Sequence, residues 1–127
     1  MKKVKYGLIV FFIIAVIANF PIINKQLLHD IDQNHFRYSN LNASFTSEES
    51  FSFKDPYISN WPINNFLAET SPAQENRTIY RLYRINPLCF WRWKYYLSRS
   101  FDYPYRNWKE IEKNRVPYVS TNMWQDF

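Results

Sequence analysis

The sequence predicts a mainly α-helical protein with irregular segments, arranged in three parts along the chain. An uncharged apolar stretch at residues 6–23 follows three lysines, the next stretch is polar, and the last is rich in aromatic residues. We therefore expect one N-terminal transmembrane helix within 1–23, a membrane-proximal helix and an extended polar arm in 24–76, and a small aromatic-rich helical region in 77–127.

The apolar stretch is just long enough for one membrane crossing. As a helix it extends roughly 27 Å, and the hydrocarbon core of a bilayer is about 30 Å thick. Lys2, Lys3 and Lys5 favour a cytoplasmic N-terminus, which leaves the C-terminus on the outer side. The membrane anchor is expected to use the large side chains Leu8, Phe11, Phe12, Ile13, Ile14 and Ile17.

A cleaved signal peptide is the main alternative for this stretch. A basic start, the short apolar run Leu8–Ile17 and the small residue Ala18 are typical of such a peptide. Apolar residues continue through 20–23, which favours a retained anchor over cleavage after Ala18. Cleavage would give a secreted or periplasmic protein, and a buried helix of a soluble fold is the third interpretation.

Composition argues against several kinds of chemistry. Gly7 is the only glycine, so a glycine-rich phosphate loop is not expected. Cys89 is the only cysteine, which excludes an intrachain disulfide. His29 and His35 lie near acidic residues but point in different directions on a helix, so no metal site is expected. With no catalytic set to nominate, the sequence predicts a protein that is not an enzyme and that needs no cofactor.

Charge changes sign along the chain. Residues 24–76 contain three basic and seven acidic groups, whereas residues 77–127 contain ten basic and four acidic groups. The reversal near Asn76 is the best candidate for an internal boundary.

The middle part has weak local signals. Helical spacing of apolar residues predicts a helix over Lys25–Phe36. Alternation predicts a short strand at Phe51–Lys54, forming a hairpin with Ala43–Thr46 across a turn at Ser47–Ser50. The remainder of Arg37–Asn76 is expected to be an extended arm whose aromatic residues dock elsewhere, with a disordered tether as the alternative.

The last part has clearer helix signals. Thr78–Ile85 is expected to be extended, and Asn86–Pro87 has the residue types that begin a helix, here Leu88–Arg99. Asn107 is expected to cap a second helix, Trp108–Asn114.

Arginines alternate with aromatic residues in 81–84 and 90–96. Such residues stack on one another inside a domain, are enriched at protein interfaces, or bind anionic ligands. Because Trp and Tyr also prefer lipid headgroups, the helix at 88–99 is a candidate to lie on the outer membrane surface. The predicted partner interface consists of Arg81, Arg84, Trp91, Arg92, Trp93, Tyr95, Trp108 and Trp124.

These features together predict a small single-pass membrane protein that acts as a non-catalytic accessory or structural subunit of a larger assembly. The expected partners are other protein subunits and the lipid bilayer, with contact to an anionic lipid or glycan as a further expectation and no nucleic acid. The alternative is an exported or anchored binding module for an anionic or carbohydrate ligand.

Overall fold

The computed structural model describes residues 1–51 and 61–127. Helices form about half of the structure, and a small sheet joins them. The α-helices are α1 (Lys2–Ala18), α2 (Pro21–Ile31), α3 (Trp61–Thr70), α4 (Trp93–Ser98) and α5 (Trp108–Glu112). The strands are β1 (Arg37–Ser39), β2 (Thr46–Glu48) and β3 (Tyr80–Arg81). Short 3-10 turns cover Gln74–Asn76, Phe90–Arg92 and Ser100–Asp102. We call the described residues that follow α1 the folded region.

The first two helices meet at a sharp bend of 87°. α1 ends at Ala18, and Pro21 occupies the first turn of α2, where its fixed φ and missing N–H are tolerated. The predicted helix at Lys25–Phe36 exists but was misplaced, because Pro21 begins it and Ile31 ends it. In residues 1–51 and 61–127, no helix taken alone is long and apolar enough to cross a bilayer. α1 and α2 meet that requirement only as a bent pair.

The sheet is antiparallel in the order β2-β1-β3. β1 is central, with Tyr38 opposite Ser47 on one side and Arg81 on the other. The predicted hairpin is wrong, because Ser47 and Glu48 belong to β2 and pair with β1 instead of forming a turn. The part of the predicted strand at 52–54 lies outside the described residues.

One aromatic core underlies this sheet and draws on residues from both sides of Asn76. The extended polar arm is therefore wrong for the described residues of 37–76. Tyr38, Phe45 and Phe66 are buried there, and the Phe45 and Phe66 rings lie 5.0 Å apart. The core residues are Leu28, Phe36, Tyr38, Phe45, Phe51, Ile63, Phe66, Ile79, Tyr83, Tyr95 and Tyr96.

Side-chain hydrogen bonds of two asparagines decide where the chain turns before α4 and where α5 begins. The predicted start at Leu88 is wrong, because the Asn86 side chain accepts a hydrogen bond from the Leu88 amide and the chain turns before the 3-10 segment and α4. The predicted cap at Asn107 is confirmed, since its side chain accepts the Lys109 amide at 2.9 Å. Of the predicted extended segment Thr78–Ile85, only Tyr80–Arg81 is a strand.

Candidate membrane anchor and its junction with the folded region

The outer surface of α1 is apolar and open. The six side chains predicted to form the anchor are between 40% and 59% exposed. Only Ala15 and Ala18 are buried in this helix, where it meets the folded region. A helix that is apolar on all sides is normally covered by other protein or by lipid.

Asn19 joins the end of α1 to the segment that leads into α4. Its side-chain nitrogen donates to the carbonyl oxygens of Ala15 at 2.8 Å and Phe90 at 2.7 Å. Its side-chain oxygen accepts the Lys94 amide at 2.8 Å. One side chain thus satisfies backbone groups of two elements that lie far apart in the sequence.

Asn24 makes a second link and is completely buried. Its side-chain nitrogen donates to the carbonyl oxygen of Ala18 at 3.1 Å and to that of Trp91 at 2.6 Å. The last residue of α1, the first turns of α2 and the 3-10 turn at Phe90–Arg92 are therefore held together by one amide.

Asp32 makes a third link at the other end of α2. Its buried carboxylate accepts hydrogen bonds from Trp91 Nε1 at 2.8 Å and from Arg92 Nε at 3.0 Å and Nη2 at 2.5 Å. Hydrogen bonds between charged groups are among the stronger ones in proteins. We call Asn19, Asn24 and Asp32 the junction, because together they fix α1 and α2 against residues 90–94.

Aromatic rings extend the contact along α1. The Phe11 ring lies edge-on to Phe90 at 5.5 Å and to Trp93 at 6.4 Å between ring centroids. A groove of about 440 Å³ follows between α1 and α4. It is lined by Phe12, Ala15, Val16, Asn19, Trp93, Lys94, Leu97 and Ser98.

A second cluster of polar groups lies in the core. The Tyr38 hydroxyl is 2.6 Å from the hydroxyls of both Tyr83 and Tyr95. The Tyr83 hydroxyl is also 2.6 Å from Ser100 Oγ, and the Tyr95 hydroxyl donates to Glu49 Oε2 at 2.8 Å. We call these five residues the hydroxyl network.

Burial sets the ionisation of this network. It raises the pKa values of Tyr38, Tyr83 and Tyr95, so that the phenols stay neutral. Burial also raises the pKa of Glu49, although Arg99, whose Nε donates to Glu49 Oε2 at 2.8 Å, acts in the opposite direction. The arrangement satisfies polar groups inside an aromatic core, which is a structural task.

Most of the predicted interface residues contact other parts of the same chain. Arg81 donates to the Tyr83 and Tyr103 carbonyl oxygens, and the exposed Arg84 stacks over the Tyr105 ring at 5.5 Å. The arginine–aromatic stacking predicted within the domain is thus observed.

The four tryptophans of the predicted interface lie in four different places. Trp91 and Arg92 bind Asp32 in the junction, and Trp93 faces α1. Trp108 packs on Phe127 with their ring centroids 5.2 Å apart, whereas Trp124 packs on Phe66 at 5.7 Å.

One predicted interface residue is not at the surface at all. Tyr95 is 0% exposed, because its ring fills the core beside Phe36 and its hydroxyl belongs to the hydroxyl network. Its assignment to a surface interface is therefore wrong.

Local patterns in the sequence do not predict the junction. Asn19 and Asn24 are polar residues within an apolar context, and that contrast was the available signal. The contrast does not reveal the junction, because the Phe90 and Trp91 carbonyl groups that these side chains bind are about seventy residues away.

Metal-binding geometry is not found in the described parts of the chain, where no three His, Cys, Asp or Glu side chains converge. Comparison with protein-family models, with curated proteins and with solved structures gives no match.

Proposed function

We propose that this protein is a single-pass membrane protein that serves as a non-catalytic accessory or structural subunit of a larger membrane-associated assembly. The observation that carries the proposal is the open apolar surface of α1, which no other described part of the chain covers. Removing such a surface from water stabilises a protein by about 25 cal/mol per Å², and a bilayer is the simplest environment that does so.

The junction favours a retained anchor over a cleaved signal peptide. Ala15 and Ala18 are buried against the folded region, and their carbonyl oxygens accept hydrogen bonds from Asn19 and Asn24. Cleavage after Ala18 would remove these acceptors together with the Phe11 contacts. A segment destined for removal has no need of such contacts with the mature protein.

The buried charged groups support a structural role. Asp32 and Glu49 each accept hydrogen bonds from one arginine and one aromatic side chain. These carboxylates hold elements together, which is the task expected of a scaffold or a subunit.

Intact mass and membrane extraction test the anchor. We expect the protein from its native membrane to retain residues 1–18 and to stay in the pellet after an alkaline wash. Replacing Phe12 and Ile13 together by aspartate should release it, because each charge in the bilayer centre costs about 2.5–3.5 kcal/mol. The matched control replaces the same two residues by leucine and should stay in the pellet.

Native mass spectrometry in mild detergent tests the subunit role. We expect the chain to be recovered in stoichiometric complex with other membrane proteins. A detergent-solubilised monomer without a co-purifying chain would contradict that role. A mature chain beginning at Asn19 would contradict the anchor and favour the exported binding module.

A further inference from the structure

α1 alone is short for a bilayer. It has 17 residues, which at 1.5 Å each give about 25 Å. Its first four residues include Lys2, Lys3 and Lys5, so the apolar part, residues 6–18, extends only about 20 Å. The hydrocarbon core is about 30 Å thick, so about 10 Å of apolar depth is left to other groups or to local thinning. The end of α1 is therefore where additional apolar surface is needed.

The folded region supplies apolar groups beside α1. Phe11, which contacts Phe90 and Trp93, lies seven residues before Ala18, or about 10 Å along the helix. These two side chains consequently stand alongside the C-terminal half of α1. Whatever surrounds that half of α1 also meets them.

Leu97 extends this surface. It lines the groove opposite Phe12 and Val16, yet it is 76% exposed. We call Phe90, Trp93 and Leu97 the apolar face. Lys94, which lies among them in the sequence, also lines the groove and carries a positive charge.

The direction of α2 is consistent with a membrane surface near the C-terminal end of α1. It leaves α1 at 87°, so that it runs parallel to a membrane that α1 crosses upright. Phe20, Ile22 and Ile23 near the start of α2 are exposed. Exposed apolar side chains thus lie near the start of α2 as well as on the apolar face.

We propose that the apolar face is immersed in the outer leaflet of the same bilayer that α1 enters, with lipid acyl chains in the groove. This inference rests on the proposed anchor. Tryptophan favours the interface between headgroups and acyl chains, and Lys94 can reach lipid phosphates. The occupant is the phospholipid bilayer, because the face is continuous with α1 and lies at the depth of its last two turns.

Site-directed spin labelling measures this depth. In a Cys89→Ser background, a nitroxide is attached to Leu97→Cys in vesicles of phosphatidylcholine and phosphatidylglycerol. Val10→Cys in the middle of α1 and Glu112→Cys on α5 are the matched controls, and all three sites are exposed. We expect the Leu97 label to collide several-fold less often than the Glu112 label with a water-soluble nickel chelate, and more often with oxygen.

The outcomes separate the two proposals. A Leu97 label as accessible to nickel as the Glu112 label, with the Val10 label protected, would overturn the immersed face and leave the anchor. The same accessibility at all three sites would overturn both. Protein partners are absent from these vesicles, so a face reserved for a protein would be accessible to nickel.

Brominated lipids give a second measurement with the native cysteine in place. They quench only tryptophans within or next to the bilayer. Trp93→Phe should remove much of the quenching, whereas Trp108→Phe, whose ring packs on Phe127, should leave it unchanged. Equal quenching in both variants would contradict the immersed face.

Discussion

α1 and the aromatic core have opposite arrangements of polarity. α1 presents apolar side chains to its surroundings along almost its whole length. The core hides aromatic rings, but it also hides hydroxyls, a carboxylate and a guanidinium that are hydrogen-bonded to one another. The core of the folded region therefore satisfies its polar groups internally, whereas α1 has the surface of a helix suited to apolar surroundings.

The largest expected difference comes from making the same substitution in both regions. Phe36→Ala should lower the free energy of unfolding by about 3–5 kcal/mol, because the fully buried ring contacts Phe51, Tyr83 and Tyr95. Phe12→Ala in α1, where the ring is 59% exposed at the edge of the groove, should change it by less than about 0.5 kcal/mol in detergent. Denaturant unfolding followed by near-UV circular dichroism measures both. Similar losses would mean that α1 is part of the core.

The buried ion pair gives the next largest effect. Arg99→Met should lower the free energy of unfolding by about 3 kcal/mol, because Glu49 is left in the core without its guanidinium partner. Arg37→Met, which breaks the more exposed pair with Glu48, should cost less than about 1 kcal/mol.

The double variant Arg99→Met with Glu49→Gln checks this cause. It should be more stable than Arg99→Met alone, because no unpaired charge remains. If it is less stable, loss of packing rather than of charge compensation explains the effect.

A substitution in the junction should lower the free energy of unfolding by less than the core substitutions do. Asn24→Ala leaves the Ala18 and Trp91 carbonyl oxygens without this donor and should lower the free energy of unfolding by about 2 kcal/mol. Gln26→Ala on the exposed side of α2 is the control and should be nearly neutral. A neutral Asn24→Ala would show that the junction does not hold α1 in place.

The smallest effect depends on pH. Burial lowers the pKa of His35, Arg92 lowers it further, and Asp32 partly opposes them. The unfolded state, with a pKa near 6.5, therefore binds the proton first as the pH falls, and the folded state loses stability below that value.

His35→Asn should reduce this acid-induced loss between about pH 7 and pH 5, by at most about 1.4 kcal/mol per pH unit. Thermal unfolding across that range measures it, and the exposed His29→Asn is the matched control. An equal change in both variants would show that burial of His35 is not the cause.

Local signals predicted local features well. The cap at Asn107 depends on an amide two residues away, and the apolar run of α1 is visible in any short window. The start of α4 was missed because Asn86, a good cap residue, closes a turn instead.

Long-range features could not be predicted. Tyr38 bonds to hydroxyls 45 and 57 residues away, and the Thr46 amide donates to the Trp124 carbonyl oxygen near the end of the chain. Residues 37–51 therefore resembled a polar arm, because the packing that orders them comes from later parts of the chain. Nothing in the arginine and aromatic alternation distinguished Tyr95, which is buried, from Arg84, which is exposed.

The short connection between α1 and α2 limits how far the folded region can move relative to α1. Only Asn19 and Phe20 separate the two helices, and the Asn19 side chain is bound on both sides. A domain on a flexible tether sweeps a volume that grows with the length of its linker. The folded region has no such linker, so its position and orientation relative to α1 are fixed.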